Sequence, residues 1–372
     1  MKILMLLSNP FTHDPRVYNE AKSLIEAGHD VIVLSWDRKK ENPLIEEKHR
    51  IKIVRLRNTK FMDLLGYDIF RLHFWWNIGY KKAMEIYKNY PYDVIHCHDF
   101  DTLPIGVKLK KKLGVPLIYD AHEIWGYMVA KDLPWWKYYL WKEESFLRFV
   151  DYMIVTNPAR LQFYKEKGMK NIVIVDNCKP IFSKEYIPPN NNIFTLLYIG
   201  TLSPTRFLIE LVDVIKDIDN IKCIIGGKGK VKYVEKLKQK CNEVKNVEFI
   251  GEVPPEEVIP MTLKSDAVFC MIAPWDKNDI TASTNKQYEA MVCGRPIIST
   301  KGTYSGELTE KTKSGLVIPY TKKDLKAAII KLRDNPQLRE ELGKNALKAA
   351  ILEYNWEKQK SKLVRLYETL KK

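Results

Sequence analysis

Hydrophobic and polar positions along the chain alternate between two rhythms. Short, near-continuous apolar runs are followed by longer segments with apolar positions three and four residues apart. The first run, Ile3–Leu7, reads as a strand, and SNPFTHD after it reads as a polar loop. Pro15 to Ala27 then has helical spacing, with Val17, Ala21, Leu24 and Ile25 on one face. Gly28 stops that helix, and Val31–Ser35 is the next strand. Further strands are expected at Ile51–Leu56, Val94–Cys97, Pro116–Asp120, Tyr152–Thr156 and Ile172–Val175. Unbroken apolar runs suit a parallel sheet covered on both faces. Their β-α-β-α order reads as a doubly wound α/β fold.

The rhythm breaks at Ile187–Ile193, where PPNNN has no periodicity. It restarts with a strand at Thr195–Ile199, a GTLSPTR loop and a helix from Leu208. Ile221–Gly226, Val247–Ile250, Ala267–Ile272, Pro296–Ser299 and Leu316–Ile318 continue the series. The expectation is two Rossmann-like domains, residues 1–186 and 187–352. A terminal helical piece, 353–372, would return to the first domain.

Composition narrows the class. The chain has 372 residues, 45% apolar and 29% charged, which excludes disorder as its main state. Its 17 Gly and 19 Pro exclude collagen-like or linker-like character. Lys and Arg number 61 against 46 Asp and Glu, a net charge of +15. Such a balance implies anionic partners: nucleic acid, an anionic membrane face or phosphorylated small molecules. The 6 cysteines lie far apart with no CxxC, which predicts buried thiols in a reducing compartment. No signal-peptide pattern and no apolar stretch of about 18 residues occurs, so a cytoplasmic protein is expected, peripheral on a membrane if attached at all.

Candidate chemistry collects where strands end. In TASTNKQYEAMVCGRPIIST, Ser283 is the expected N-cap of the following helix, whose first N–H groups make an anion site. Glu289 lies nearly two turns in, where a carboxylate can hold a ribose diol. Gly200 and Arg206, in GTLSPTR, offer close backbone approach and a fork of donors to a diphosphate. GGKGK, with Gly226, Gly227 and Gly229, reads as a third such loop; it is neither a dinucleotide fingerprint nor a P-loop. In the first half, His13, Asp14, Arg16, His96, His98, Asp99, Asp120, His122 and Glu123 gather on three loops at one sheet edge. Asp99 and Asp101 form a DxD string, but Asp217 and Asp219 form another, and no metal is expected. Phe61–Tyr92 and Ile124–Phe149 interleave aromatics with Lys and Arg. That composition suits either an anionic membrane surface or a buried interdomain face.

The strings HDPRVYNEAKSLIEAGHDV, DVIHCHDFDTLPIG, YDAHE, YIGTLSPTR, STNKQYEAMVCGRPIIS and SGLVIP resemble, in this order and spacing, the family 4 retaining glycosyltransferases of GT-B fold. The resemblance runs over nearly the whole chain. It implies an N-terminal acceptor-binding domain and a C-terminal nucleotide-sugar domain, facing each other across a cleft, with no cofactor and no metal. The donor it implies is a nucleotide-diphosphate sugar, a UDP-sugar favoured, and the acceptor a glycan or lipid-linked hydroxyl. The expected place is the cytoplasm, on the inner membrane face.

By position, the resemblance gives His122, Arg206 and Lys286 catalytic roles. It gives donor contacts to Gly200, Gly227, Val253, Ser283, Thr284, Asn285 and Glu289, and places Asp14, Arg16, His98, Asp99 and Glu123 on the acceptor side. Thr281 stands where members commonly carry a first glutamate, Thr201 where a basic residue is frequent, and Phe207 where a glycine is usual. The first loop has HDPR in place of paired glycines. A sugar-nucleotide epimerase of similar architecture and a non-catalytic binder of nucleic acid or an anionic surface are the competing readings. The resemblance argues for no nucleic-acid partner.

Overall fold

The computed structural model describes residues 1–12, 14–65, 68–129 and 135–370, with the backbone alone at 68 and 69. His13 therefore lies outside the described residues. The chain divides into two compact units, Met1–Val175 with Lys360–Lys372, and Asp176–Gln359.

The first unit is built on a sheet of β1 (Lys2–Leu7), β2 (Asp30–Asp37), β3 (Ile45–Lys48), β4 (Ile51–Arg57), β5 (Val94–His98), β6 (Leu117–Ala121), β7 (Tyr152–Val155) and β8 (Ile172–Ile174). Their order is β3-β4-β2-β1-β5-β6-β7-β8. All neighbours run parallel except β3 on β4. Ile3, Leu4, Met5 and Leu6 are wholly buried, as a strand covered on both faces requires. The helix Pro15–Glu26 follows β1. Asp14 caps it by accepting from the Val17 N–H, and Pro15 opens its first turn. Its core face is Val17, Ala21 and Leu24, and Glu20 lies on that same buried face.

The second unit carries β9 (Phe194–Leu202), β10 (Ile221–Gly229), β11 (Val247–Gly251), β12 (Ala267–Cys270), β13 (Ile297–Thr300) and β14 (Gly315–Ile318). The sheet is parallel, in the order β11-β10-β9-β12-β13-β14. In each sheet the order reverses direction once, at β1/β5 and at β9/β12. The carboxyl ends of strands at such a point are where open α/β sheets bind ligands.

Two local expectations need correction. The change of unit falls after Val175, not after residue 186. The segment from Asp176 packs on the second unit, where the Asp176 carboxylate accepts from Ser283 and Tyr288 and the Tyr186 ring lies against Gly294 and Gly343. The final helix, Trp356–Thr369, starts in the second unit and ends in the first, burying Leu363, Leu366 and Tyr367. GGKGK is not a loop. Gly226 to Gly229 extend β10 and pair with Ile199 to Leu202. None of the six cysteines is in a disulfide, and all are buried.

Candidate active site

In the second unit, Gly200 ends the apolar part of β9 and Gly227 lies beside it in β10. A Cβ on Gly227 would overlap the Gly200 carbonyl oxygen, so the two backbones approach only because Gly227 has no side chain. A Cβ on Gly200 would stand 2.9 Å from Lys286 Nζ. Val253 packs beside this pair, its Cγ2 2.8 Å from where a Gly226 Cβ would be. Arg206 follows on the turn Pro204–Arg206, and its guanidinium lies 3.4 Å from Asp279 Oδ1.

The helix Asn285–Val292 begins opposite. Its N-cap is Thr284, not Ser283, and no side chain caps it. The Thr284 hydroxyl is occupied by Cys270 Sγ at 3.0 Å. Ser283 donates to Asp176 Oδ1 at 2.5 Å and meets the Tyr288 hydroxyl at 3.0 Å. The first-turn N–H groups are thus left without a side-chain acceptor, the condition for an anion site. Lys286, in that turn, is 8% exposed. Its Nζ lies 4.6 Å from the Tyr198 ring centroid, and no carboxylate pairs with it among the described residues. Burial pushes its pKa below the ordinary lysine value. Glu289 is paired to Lys179 at 3.2 Å, and the same Lys179 Nζ donates to Asn285 Oδ1 at 3.2 Å.

In the first unit, Arg16 bridges Asp99 at 3.3 Å and Asp14 at 3.6 Å. Asp99 holds a left-handed backbone, φ 60°, and its Oδ1 accepts the His122 N–H at 3.1 Å. His98 Nδ1 lies 2.9 Å and His122 Nε2 3.0 Å from Asp120 Oδ2. His96 stacks on His98 with ring centroids 4.3 Å apart and meets the Tyr367 hydroxyl through Nδ1 at 2.8 Å. Asp14, Arg16, His98, Asp99 and His122 therefore form one network. Glu123 instead pairs with Arg160 at 3.0 Å.

Electrostatics within this network are uneven. Burial opposes the charge on Asp120, yet His122 and His98 hold its carboxyl well below the usual range. Burial pushes Glu20 well above it, helped by Asp120. Burial also lowers His96 and His98, so both rings are neutral at neutral pH. Glu20, His96, His98 and Asp120 each place one donor atom within 4.8 Å of the others, the only such set among the described residues. His98 and Asp120 already spend theirs on each other. The DxD string is not open either. Asp99 is held by Arg16 and His122, and Asp101 by Ser8.

Four residues at these sites escaped sequence reasoning. Glu20 carried a usable signal, a carboxylate at a core-face position of an amphipathic helix. Asp176, Lys179 and Asp279 carried none, since each reaches its partner only through the fold.

Residues 16–178 match the family model described as Glycosyltransferase Family 4, and residues 181–349 match the one described as Glycosyl transferases group 1. An uncharacterized glycosyltransferase of Methanocaldococcus jannaschii is 27% identical over 301 residues, covering 78% of this chain and 80% of that protein. Alpha-monoglucosyldiacylglycerol synthase of Streptococcus pneumoniae is 26% identical over 283 residues, covering 68% of this chain and 61% of that protein. The solved structure of Anabaena HepE in complex with UDP-glucose shares the fold, with a TM-score of 0.76 at 18% identity, over 99% of this chain and 100% of that one. With a family model on each half and one two-sheet architecture throughout, the chain belongs to the family 4 glycosyltransferases of GT-B fold.

Proposed function

We propose that this glycosyltransferase moves a sugar from a nucleotide diphosphate to an acceptor hydroxyl with the anomeric configuration retained, and needs no metal to do so. The observation that carries the donor reading is Lys286: a buried ammonium with no carboxylate partner among the described residues, beside Gly200 and in an uncapped helix turn. A diphosphate supplies the missing counter-charge. Arg206 adds a second cation, and the N–H groups near Ser283, Thr284 and Asn285 add fixed donors. Glu289 takes the ribose with the oxygen that Lys179 leaves open, and Val253 meets the base through its backbone.

As the bond to the sugar breaks, charge gathers on the departing β-phosphate. Donors already aimed there stabilise the transition state more than the ground state. Two fixed cations do what a metal does elsewhere. The acceptor proton passes to that phosphate on the same face of the sugar, so no strong protein base is required. His122 orients the reacting hydroxyls, and Arg16, held by Asp14 and Asp99, lies on the acceptor side with His98 below.

HepE was solved with UDP-glucose, which favours a UDP-sugar as donor here. The acceptor we propose is lipid-linked, reached from the inner membrane face. The helix Trp136–Leu147 exposes Tyr138 and Trp141 beside Lys137, and Phe61, Leu64, Phe70 and Phe74 are exposed in the Phe61–Tyr92 segment. Aromatic rings among lysines suit the headgroup region of an anionic bilayer. No helix among the described residues is long and apolar enough to cross one.

Thermal-shift titration with UDP-, GDP- and ADP-sugars tests the donor, and NMR of the product's anomeric centre tests the stereochemistry. A UDP-sugar shift with retained configuration is expected. No shift from any of the three, or an inverted product, refutes the reading.

A further inference from the structure

Glu20 is 1% exposed, and its buried Oε2 has no hydrogen-bond donor among the described residues. His96 Nε2 lies 3.8 Å and His122 Nε2 4.0 Å from its carboxylate. The Asp120 carboxylate takes one imidazole nitrogen each from His98 and His122. Arg16 is committed to Asp14 and Asp99. An ionised Glu20 in this place would be a buried charge with no salt bridge to Lys or Arg among the described residues, against a neighbouring carboxylate. One proton held between the two acids removes both costs. A divalent ion fits less well, because His98 and Asp120 are bonded to each other.

We propose that Glu20 is a positioning residue, whose carboxyl shares one proton with Asp120 so that the pair fixes the His122 ring with Nε2–H turned toward Asp120. The imidazole is then confined to one tautomer, with Nδ1 left as the atom that meets a substrate hydroxyl. The sequence pattern explains how this is built. Glu20 occupies a core-face position of the helix after β1, Asp120 lies at the end of β6, and β5 between them supplies His96 and His98. The groups facing Glu20 are Arg16 on its own helix and Asp14 at that helix's N-cap, His96 and His98 from β5, Asp120 from β6 and His122 just after it, and Tyr367 from the final helix. The role of His122 rests on the transferase reading above; the shared proton does not.

Two variants separate the possibilities. In Glu20→Gln the amide N–H replaces the shared proton, so turnover stays within about twofold of the parent, while Glu20→Ala loses at least about tenfold in kcat with KM for the donor little changed. The alkaline decline of kcat that ionisation of Glu20 causes in the parent is absent from Glu20→Gln. The melting temperature, followed from about pH 5 to 8, falls less with rising pH in Glu20→Gln than in the parent, because the parent must give up the shared proton. That readout needs no activity, so it stands even if the transferase assay fails. The proposal is overturned if Glu20→Gln is as inactive as Glu20→Ala or melts with the parent's pH slope. It is equally overturned if the purified protein carries a stoichiometric metal ion that either variant loses, or if His122→Ala keeps full turnover.

Discussion

Replacing Lys286 by methionine tests the donor site most directly, because the expected effects on fold and function have opposite signs. The side chain is 8% exposed and its ammonium faces the Tyr198 ring at 4.6 Å, with no carboxylate paired to it among the described residues. A desolvated cation over an aromatic face recovers about 2 kcal/mol, less than the cost of burying the charge alone. Methionine keeps the volume and removes the charge, so the ligand-free variant should be at least as stable as the parent. Binding should move the other way. A hydrogen bond to a charged group contributes about 1.5–3 kcal/mol, which is about 10- to 150-fold in Kd.

At a donor concentration of about 100 times its Kd the parent gains about 2.7 kcal/mol. At about 2–4 °C per kcal/mol for a domain of this size, that is a shift of several degrees. The variant at the same concentration should gain about 1.4 kcal/mol or less. Turnover should fall by about 10²–10³, the usual loss for one donor to a developing oxyanion. The pH dependence gives a further check. Burial lowers the Lys286 pKa in the folded state, so its contribution to stability is lost as pH falls through the folded value and recovered toward the unfolded one. Ligand-free parent therefore gains stability on the alkaline side, and Lys286→Met lacks that gain. A variant that binds and turns over donor like the parent, or one that is plainly less stable without ligand, would refute the reasoning.

Glu143 accepts from the hydroxyls of Tyr119 at 2.6 Å and Tyr164 at 2.7 Å, and burial pushes its carboxyl up to about 7. Its stabilising contribution is full below the unfolded value of 4.5 and is lost as pH rises toward 7, a change of about 3 kcal/mol. Denaturant unfolding of Glu143→Gln at several pH values should show that slope removed, and an unchanged slope would refute the assignment. Trp141 is 63% exposed. Trp141→Ala with Tyr138→Ala should weaken flotation with vesicles containing anionic lipid while leaving soluble donor binding unchanged; equal flotation would remove the membrane surface from this face.

The periodicity of apolar positions was enough to locate most of the parallel strands and the helices between them, because each is a local record of which face meets the core. Val17, Ala21 and Leu24 announce the buried face of the first helix, and Ile3–Leu7 a strand covered on both sides. The antiparallel edge strand β3 left no such record. Its residues Ile45–Lys48 are largely exposed, and its place comes from pairing with β4 and from Glu46 meeting Arg55 at 2.7 Å. Residue type and position also marked Gly200, Arg206 and His122 as candidates, since strand ends and helix starts are where ligand chemistry collects, and the family resemblance added Lys286. Tertiary structure alone decided what each of these groups touches. It turned GGKGK into strand through the Gly200–Gly227 approach, and moved the helix cap from Ser283 to Thr284 because Asp176 claims the serine. It joined Lys179 to Glu289, and Glu20 to Asp120. Pairings of that kind span long separations in the chain, and a charge carries no sign of its partner until folding removes the water between them.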